Sequence, residues 1–231
     1  YGDGGGMYNG SSNPTLINVT FSSNSAHNGG GMYNNSNSSP TLTNVTISGN
    51  TANYWGGGIY NQLNSNPNLT NVTFSGNSAI ETGGGMLNLG SSPIISHTTF
   101  LNNMALNGGG MSNSESNATL TNVTFSSNTA TDYGGGMSNY YFSGTMTYVT
   151  FSGNTAGIGG GAMSAERSSP TITNSIFWGN GSDQLDFVIQ SFPVVSYSII
   201  EGGFTGGTNI ISDDPLLDLS LIHISEPTRP Y

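Results

Sequence analysis

Carboxylates are the residues of this 231-residue sequence that could do acid–base chemistry, and they are unevenly placed. Twelve Asp and Glu residues are present, but only five of them precede Asn180. Glycoside hydrolysis needs two carboxylates that face one bond. Because these five acids are spread along the chain, we expect no catalytic pair among them: Asp3, Glu81, Glu115, Asp132 and Glu166.

Basic residues are rarer than acids. The sequence has no lysine and two arginines, of which only Arg167 precedes Asn180. Elimination chemistry on uronate polymers needs a strong base, but Arg167 lies in a segment that other repeats fill with Ser and Asn. We therefore expect it to be a solvated loop residue. We interpret His27 as a loop residue and His97 as a replacement for a recurring Asn, so no catalytic residue is predicted.

The sequence gives little indication of a metal or cofactor site. It contains no cysteine, so neither a disulfide nor a thiolate metal site can form. Asp183 and Asp186 make a short acidic motif, but two carboxylates are a weak signal for calcium, which takes about six to eight oxygen ligands. We therefore expect neither a metal nor a cofactor.

Charge narrows the range of partners. The formal net charge is −10 and only 6% of residues are charged, against about 25% in ordinary domains. Nucleic-acid binding needs a basic footprint, and electrostatic membrane binding needs clustered Lys and Arg. No apolar run reaches the roughly 18 residues of a membrane-spanning helix. We therefore exclude nucleic acid as a partner and predict no direct membrane insertion of this fragment.

A two-part repeat organises most of the chain. Glycine triplets alternate with an aromatic residue or Ile that is followed three positions later by Asn, and successive copies lie 25 to 27 residues apart. A period of this length is typical of solenoid proteins. The triplets begin at Gly4, Gly29, Gly56, Gly83, Gly108, Gly134 and Gly159, and the second motif occurs at Phe21, Ile47, Phe74, Phe100, Phe125, Phe151 and Phe177.

The segments between the glycines are short and rich in Val, Thr, Phe and Ile, which favours strands. In one repeat, alternation directs Leu42, Val45 and Ile47 inward, and Asn44 suits a tight corner because Asn tolerates the left-handed region. A third strand is expected around Ile59. About seven coils of 25–27 residues, with three short strands each, predict an all-β parallel β-helix.

Stacked coils would align equal positions in columns. Leu, Phe and Ala columns would fill a dry interior. Three Asn columns would link neighbouring coils, because stacked side-chain amides can donate and accept along the axis. We expect this role to be structural, and it also explains four Asn-Val-Thr sequons without glycosylation. The three Asn columns begin at Asn9, Asn18 and Asn24.

The paired motifs are similar to those of a known group of surface proteins. Gly-Gly-Gly-Met/Ile alternating with Phe-x-x-Asn over about residues 1–180 resembles the repeats of chlamydial polymorphic membrane proteins and related bacterial adhesins. Those repeats usually carry Ala where this chain has the third Gly. The resemblance implies a right-handed parallel β-helix that is exported, displayed at a cell surface, and adhesive rather than enzymatic.

The end of the sequence is less regular. Residues 175–180, 195–203 and 213–216 resemble the closing coils of secreted β-helix proteins of the choice-of-anchor type. We assign residues 1–180 to the repeat β-helix and 181–218 to irregular closing coils of the same β-helix. Residues 219–231 resemble a translated sequencing adapter and are interpreted as a non-native tail. The sequence is therefore expected to be a fragment, longer at both ends in nature.

Tyrosines give one candidate binding surface. Tyr8, Tyr33 and Tyr60 follow the inward Met or Ile on three successive coils, and their column continues with Leu87. Outward tyrosines could contact sugar rings, although packing of aromatic rings between neighbouring strands is the simpler explanation. Further aromatic residues are expected in loops: Tyr54, Trp55, Tyr133, Tyr140 and Tyr141.

Threonines give a second candidate surface. Regular threonine arrays on a flat β-helix face can order water and bind ice. Threonine is also the ordinary solvent-facing strand residue, and we identify no Thr-x-Thr rows on one strand. Ice binding is therefore an alternative, and the column considered for it is Thr20, Thr46, Thr73, Thr99, Thr124 and Thr150.

Three functional hypotheses follow. The first is a fragment of a secreted or cell-surface bacterial β-helix protein that acts as a non-catalytic adhesin or stalk and contacts glycans or other host or biofilm polymers. The second is a polysaccharide lyase or hydrolase of the pectin-lyase-like fold, with its site on coils outside this sequence. The third is an ice-binding protein. The sequence does not indicate an oligomeric state.

Overall fold

A computed structural model describes residues 2–181 and 183–215. Within them the chain consists of strands and turns, without a helix, and every strand pair is parallel. Each strand pairs with strands about one repeat earlier and later in the chain, so the coils stack directly upon one another. The predicted parallel β-helix is confirmed. The residues assigned to a non-native tail, 219–231, lie outside the described residues.

Sheet A carries the residues that follow the glycine triplets. Its eight strands pair in chain order, and in most of them the first and third residues point inward. The strands are Met7–Gly10, Met32–Asn35, Ile59–Gln62, Met86–Leu89, Met111–Ser114, Met137–Tyr140, Met163–Glu166 and Leu185–Val188.

Sheet B follows sheet A in each coil and holds twelve strands. Four coils have one eight-residue strand here, whereas the other coils divide the same stretch into two shorter strands. The strands are Thr15–Ile17, Thr20–Ser22, Thr41–Ser48, Asn68–Ser75, Ile94–Leu101, Thr119–Ser126, Thr145–Thr147, Thr150–Ser152, Thr171–Thr173, Ile176–Trp178, Val194–Ser196 and Ile199–Ile200.

Sheet C closes each coil before the next glycine triplet and has six strands. Its inward residue is the repeated alanine, which is small enough to let this sheet approach the rest of the coil. The strands are Ser25–Asn28, Thr51–Trp55, Ser78–Ala79, Met104–Asn107, Thr129–Tyr133 and Thr155–Ala156.

The structure corrects how the strands are divided. The expected corner at Asn44 is present, with φ of 54°, but it bends a continuous strand instead of separating two strands. The stretch around the repeated alanine, for which no strand was expected, is the strand of sheet C. His27, expected in a loop, lies in the sheet C strand Ser25–Asn28. Short segments of this kind pair because each coil finds the same segment above and below it.

The interior is a set of stacked columns, as predicted. Phe74, Phe100, Phe125, Phe151 and Phe177 are fully buried. Neighbouring rings in this column are stacked with centroids 4.5 to 4.8 Å apart and planes within 11° of each other. These separations match the spacing of about 4.8 Å between paired strands, so one ring per coil fills the interior without gaps.

Buried asparagines link the coils. In one column each amide from Asn50 to Asn154 donates to the next at 2.8–3.0 Å and also donates to a backbone carbonyl, as Asn103 does to Asn128 and to Phe74 O. A second buried column, in sheet A, makes amide contacts of 2.7–2.9 Å. Buried polar groups are costly unless they are hydrogen-bonded. The columns run through Asn24, Asn50, Asn77, Asn103, Asn128, Asn154 and Asn180, and through Asn9, Asn34, Asn61, Asn88, Asn113 and Asn139.

One coil is offset from the sequence motif. The predicted triplet begins at Gly159, but the strand register pairs Met137 with Met163, so Gly134, Gly135 and Gly136 align with Gly160, Gly161 and Ala162. Gly160 has the positive φ, 68°, that Gly134 has in the preceding coil. The third position is therefore alanine in this coil. Beyond it, residues 185–200 add one further strand to sheet A and two to sheet B.

Candidate binding groove

A groove runs along the outside of the β-helix where sheet C turns into sheet A. In six coils a glycine triplet makes this turn, and in a seventh Gly160, Gly161 and Ala162 make it. The first residue has positive φ, as at Gly56 (65°). A Cβ atom on the next residue, Gly57, would clash with the carbonyl oxygens of Ser78 and Gly84. Glycine is needed because the coils approach so closely here. The sharp turn places the end of each sheet C strand beside the outer face of sheet A.

Three columns define the groove. The floor is the second residue of each sheet A strand, the rim is the fourth, and the wall is the end of sheet C. The floor is Tyr8, Tyr33, Tyr60, Leu87, Ser112, Ser138, Ser164 and Asp186; the wall is Asn28, Trp55, Thr82, Asn107, Tyr133 and Gly159; the rim is Gly10, Asn35, Gln62, Leu89, Ser114, Tyr140, Glu166 and Val188.

Aromatic rings fill the N-terminal half of the groove. Tyr33 and Tyr60 are stacked with centroids 5.0 Å apart, and Trp55 meets Tyr60 edge-on at 5.9 Å. The hydroxyl of Tyr60 donates to Gln62 Oε1 at 2.8 Å, and Gln62 Nε2 donates to the Tyr33 hydroxyl. Burial raises the pKa of Tyr33 to about 12 and raises that of Tyr60 further. This half is therefore a packed cluster.

The predicted stripe of outward tyrosines is thus only partly accessible. Tyr8 is 54% exposed, but Tyr33 is 4% and Tyr60 1% exposed. Tyr33 and Tyr60 are covered because the concave turn brings Trp55 and neighbouring rings over the floor. Packing of rings between neighbouring strands explains Tyr33 and Tyr60, whereas glycan contact by Tyr8 stays a prediction.

The C-terminal half of the groove is open. Its floor changes from rings to small hydroxyl side chains, Ser112, Ser138 and Ser164. Ser138 is half-buried, whereas Ser112 and Ser164 are each 7% exposed. Two adjoining cavities of about 330 and 520 Å³ occupy the space that larger side chains would fill, and both are bounded by Asn107, Ser138 and Tyr140. The floor is therefore lined by hydroxyl groups, which can both donate and accept hydrogen bonds.

Aromatic residues flank this open half. Trp55 and Tyr133 on the wall are 40% and 39% exposed, and Tyr140 on the rim is 37% exposed. All three, expected in loops, are the last residues of strands. They are held by β-pairing, with Trp55 three coils away from Tyr133, about 14 Å along the axis. The groove thus offers fixed aromatic faces on both sides of a polar floor.

Arg167 extends the rim. Its Nη1 donates to the Tyr140 hydroxyl at 2.9 Å and to the Tyr141 hydroxyl at 3.3 Å, and its guanidinium carbon lies 5.9 and 5.6 Å from the two ring centroids. Arg167 Nε is also 3.9 Å from Glu166 Oε1. Arg167 lies in the loop after the strand Met163–Glu166, where it also orients two tyrosines through hydrogen bonds and cation–π contacts.

Acidic residues mark the C-terminal end of the groove. Asp186 follows Ser164 in the floor column, and Glu166 lies on the rim of the neighbouring strand. Burial, followed by the nearby charge of Asp183, raises the pKa of the Asp186 carboxyl. Within residues 2–181 and 183–215, no three His, Asp or Glu side chains are placed to hold a metal ion together.

The histidines lie away from the open half. The centroid of the His27 ring lies 4.5 Å from that of Tyr54, with the two planes tilted by 36°, and His27 Nδ1 is 4.0 Å from Asp3 Oδ1. His97 occupies the predicted corner position, with φ of 50°, and its Nε2 is 3.2 Å from the amide of Asn122. Neither ring is brought together with the carboxylates of the groove.

The groove was not predicted as a unit. Its wall residues share one sequence signal, since each of Trp55, Thr82, Asn107 and Tyr133 directly precedes a glycine triplet. Alignment of that position across the repeats would have found the wall. Trp55 and Tyr133 were expected in loops, because no strand was predicted where sheet C lies.

Stacked parallel sheets, buried asparagine columns and a lateral groove define this chain as a β-helix rod. The chain belongs to the family of right handed beta helix regions, whose match covers residues 2–156. Comparisons with curated proteins and with solved structures give no match. Among the described residues, no helix is long and apolar enough to cross a membrane.

Proposed function

We propose that this protein is an exported β-helix rod of a bacterial cell surface that holds glycans along the open half of its groove without changing them chemically. The observation that carries the proposal is the serine floor between exposed Trp55, Tyr133 and Tyr140. Sugars present apolar C–H faces and a ring of hydroxyls. Aromatic faces match the first feature, and serine hydroxyls match the second.

Rigidity supports an adhesive role. The walls are strand residues, and the amide columns and stacked phenylalanines beneath them hold the coils at one spacing. A site that is formed before binding loses little conformational entropy when it binds. The groove also runs parallel to the axis, so a polymer can contact several coils at once, and such contacts add avidity.

Surface location is proposed from the resemblance of the repeats to chlamydial polymorphic membrane proteins and related adhesins. The groove is compatible with host or biofilm polymers as partners. The carboxylates at its end, Glu166, Asp186 and nearby Asp183, disfavour strongly anionic polymers. We therefore expect neutral glycans to bind better than uronates.

The proposal is tested by titrating the purified chain with neutral and uronate oligosaccharides in a calorimeter. Removal of the Tyr133 ring, in Tyr133→Ala, should weaken neutral-glycan binding about tenfold, since an aromatic contact contributes about 1 kcal/mol or more. The matched control is Tyr148→Ala, because Tyr148 is 57% exposed at a corner of sheet B away from the groove. No binding to any glycan, or equal losses in both variants, would contradict the proposal.

The alternative is a polysaccharide lyase or hydrolase of the pectin-lyase-like fold, for which the sequence placed the site on flanking coils. One observation favours it here. Asp186, with its raised pKa, and Glu166 point outward from neighbouring strands at the same end of the groove. Glycoside hydrolysis uses two carboxyl groups that flank one bond. Release of new reducing ends by the purified chain, abolished in Asp186→Asn, would replace the non-catalytic proposal.

A further inference from the structure

The outer face of the first part of sheet B carries a grid of threonines. The strands here place two residues per coil outward, on either side of an inward Leu, Met or Ile. Ten of the sixteen outward positions are threonine. The uninterrupted block is Thr119, Thr121, Thr145, Thr147, Thr171 and Thr173, three Thr-x-Thr rows in register.

These rows were not predicted from the sequence. The predicted threonine column, which includes Thr20 and Thr150, lies beyond the corner and has one threonine per coil, so it contains no Thr-x-Thr row. The expectation of no Thr-x-Thr rows is wrong for the strands before the corner. The two columns there become visible only when the outward positions on both sides of each inward residue are aligned between coils.

The hydroxyl groups of this block are largely unused by the protein. Thr147 Oγ1 lies 3.3 Å from Thr173 Oγ1. Within the described part of the chain, the hydroxyls of Thr119, Thr121, Thr145 and Thr171 have no protein partner. Each free hydroxyl can both donate to and accept from water. Water on this face is therefore held by a regular set of anchors.

The geometry of the block is regular in two directions. Neighbouring rows are separated by the strand spacing of about 4.8 Å, and the two threonines of one row by about 6.7 Å, two strand residues. Both repeats are comparable to the oxygen repeats on the prism faces of hexagonal ice. Threonine is β-branched and stiff at χ1, so its methyl and hydroxyl groups hold one orientation.

Charge and shape also favour water over other ligands. None of the sixteen outward positions is charged or aromatic. The positions that interrupt the threonines include Ile94 and Val194, which are β-branched and keep a similar shape. The sixteen positions themselves lack the rings that stack on sugars and the charges that select a protein or an ion, and the exposed rings of Tyr148 and Tyr197 lie beside them at the corner.

We propose that the threonine grid binds ice. The grid orders water at repeats close to those of the ice lattice, so that this water joins the growing crystal and attaches the rod to it. This activity is independent of glycan binding, because the grid and the groove lie on different sheets.

The test uses the purified chain in ice-affinity partition and in measurements of thermal hysteresis. The chain should enter the ice fraction and shape ice crystals. Thr145→Tyr should reduce the fraction in ice several-fold, because a ring at the centre of the grid prevents close contact. The matched control is Thr129→Tyr, an exposed strand threonine of sheet C, which should leave partition unchanged. Circular dichroism checks that both variants fold.

A shape-preserving variant keeps the test decisive if Thr145→Tyr does not fold. Thr145→Val retains the branched side chain and removes one free hydroxyl, and a measurable loss of hysteresis is expected. Exclusion of the wild-type chain from ice, or equal partition of Thr145→Tyr and Thr129→Tyr, would overturn the proposal. Glycan binding by the same samples is measured separately, so either proposal can fail alone.

Discussion

The two halves of the groove are built on the same coil but end in different surfaces. In the N-terminal half, Tyr33 and Tyr60 fill the floor, and Trp55 packs edge-on against Tyr60. In the C-terminal half, Ser112 and Ser138 stand at the same positions and leave a cavity. The inward residue before each of these positions is Met or Ile in both halves. The floor can therefore change from filled to open while the fold stays the same.

This difference separates residues that specify the fold from residues that are free for function. Inward positions must fill a fixed volume at close packing, so their types repeat from coil to coil. The outward floor position faces a concave turn and tolerates either a ring or a hydroxyl. A repeat protein can therefore acquire a binding surface by changing one outward column.

The largest effect is expected from the column that both halves share. Phe125 is fully buried and stacked between Phe100 and Phe151 at 4.7 Å on each side. Phe125→Ala should lower the free energy of unfolding by about 3–5 kcal/mol, because it leaves a cavity that the neighbouring coils cannot close. Urea denaturation measures this change. A loss as small as that of an exposed residue would mean that the rings do not support each other.

A smaller loss of stability is expected in the filled half. Tyr60 is 1% exposed and its hydroxyl donates to Gln62. Tyr60→Ser should cost about 3 kcal/mol, near the lower limit for truncating a buried aromatic ring, and should make the filled half resemble the open half. The same denaturation experiment measures it. If the variant were as stable as the wild type, the tyrosine cluster would not be packed as described.

The smallest change in stability is expected for Asp186, at the end of the open half. Burial raises the pKa of Asp186 above its ordinary value of 3.8. The folded state therefore favours the protonated carboxyl group. The stability that Asp186 contributes is fully present below pH 3.8 and is lost as the pH rises through the raised pKa. Asp186→Asn should be more stable than the wild type at neutral pH. The difference should shrink in acid, as thermal melting across pH will show.

Much of the fold could be predicted from the sequence. The spacing of glycine triplets and Phe-x-x-Asn motifs identified stacked coils, since equal spacing must bring Phe100 and Phe125 together. Alternation identified Leu42 as inward and Asn44 as a corner. These predictions succeeded because they depend on periodicity, which repeated copies reinforce.

The surface was harder to predict. Strand alternation shows that Tyr60 points away from the interior, but not that the turn to sheet C covers it. Trp55 lies beside Tyr60 because it ends the strand Thr51–Trp55. That strand is hard to predict because its inward residue is the small Ala52. The contacts of Arg167 with Tyr140 and Tyr141 could not be predicted, because those tyrosines lie one coil away. The residue pattern of one repeat cannot predict which side chains of different coils meet across a concave turn.

Closing the open half is the most direct test of the claim that it holds a ligand. Ser138 is at the floor position that Tyr60 fills in the other half, and it borders both cavities. Calorimetric titration of Ser138→Tyr with the neutral oligosaccharide that binds the wild type best should show loss of binding with little change in melting temperature. Undiminished binding by a folded Ser138→Tyr variant would contradict the account.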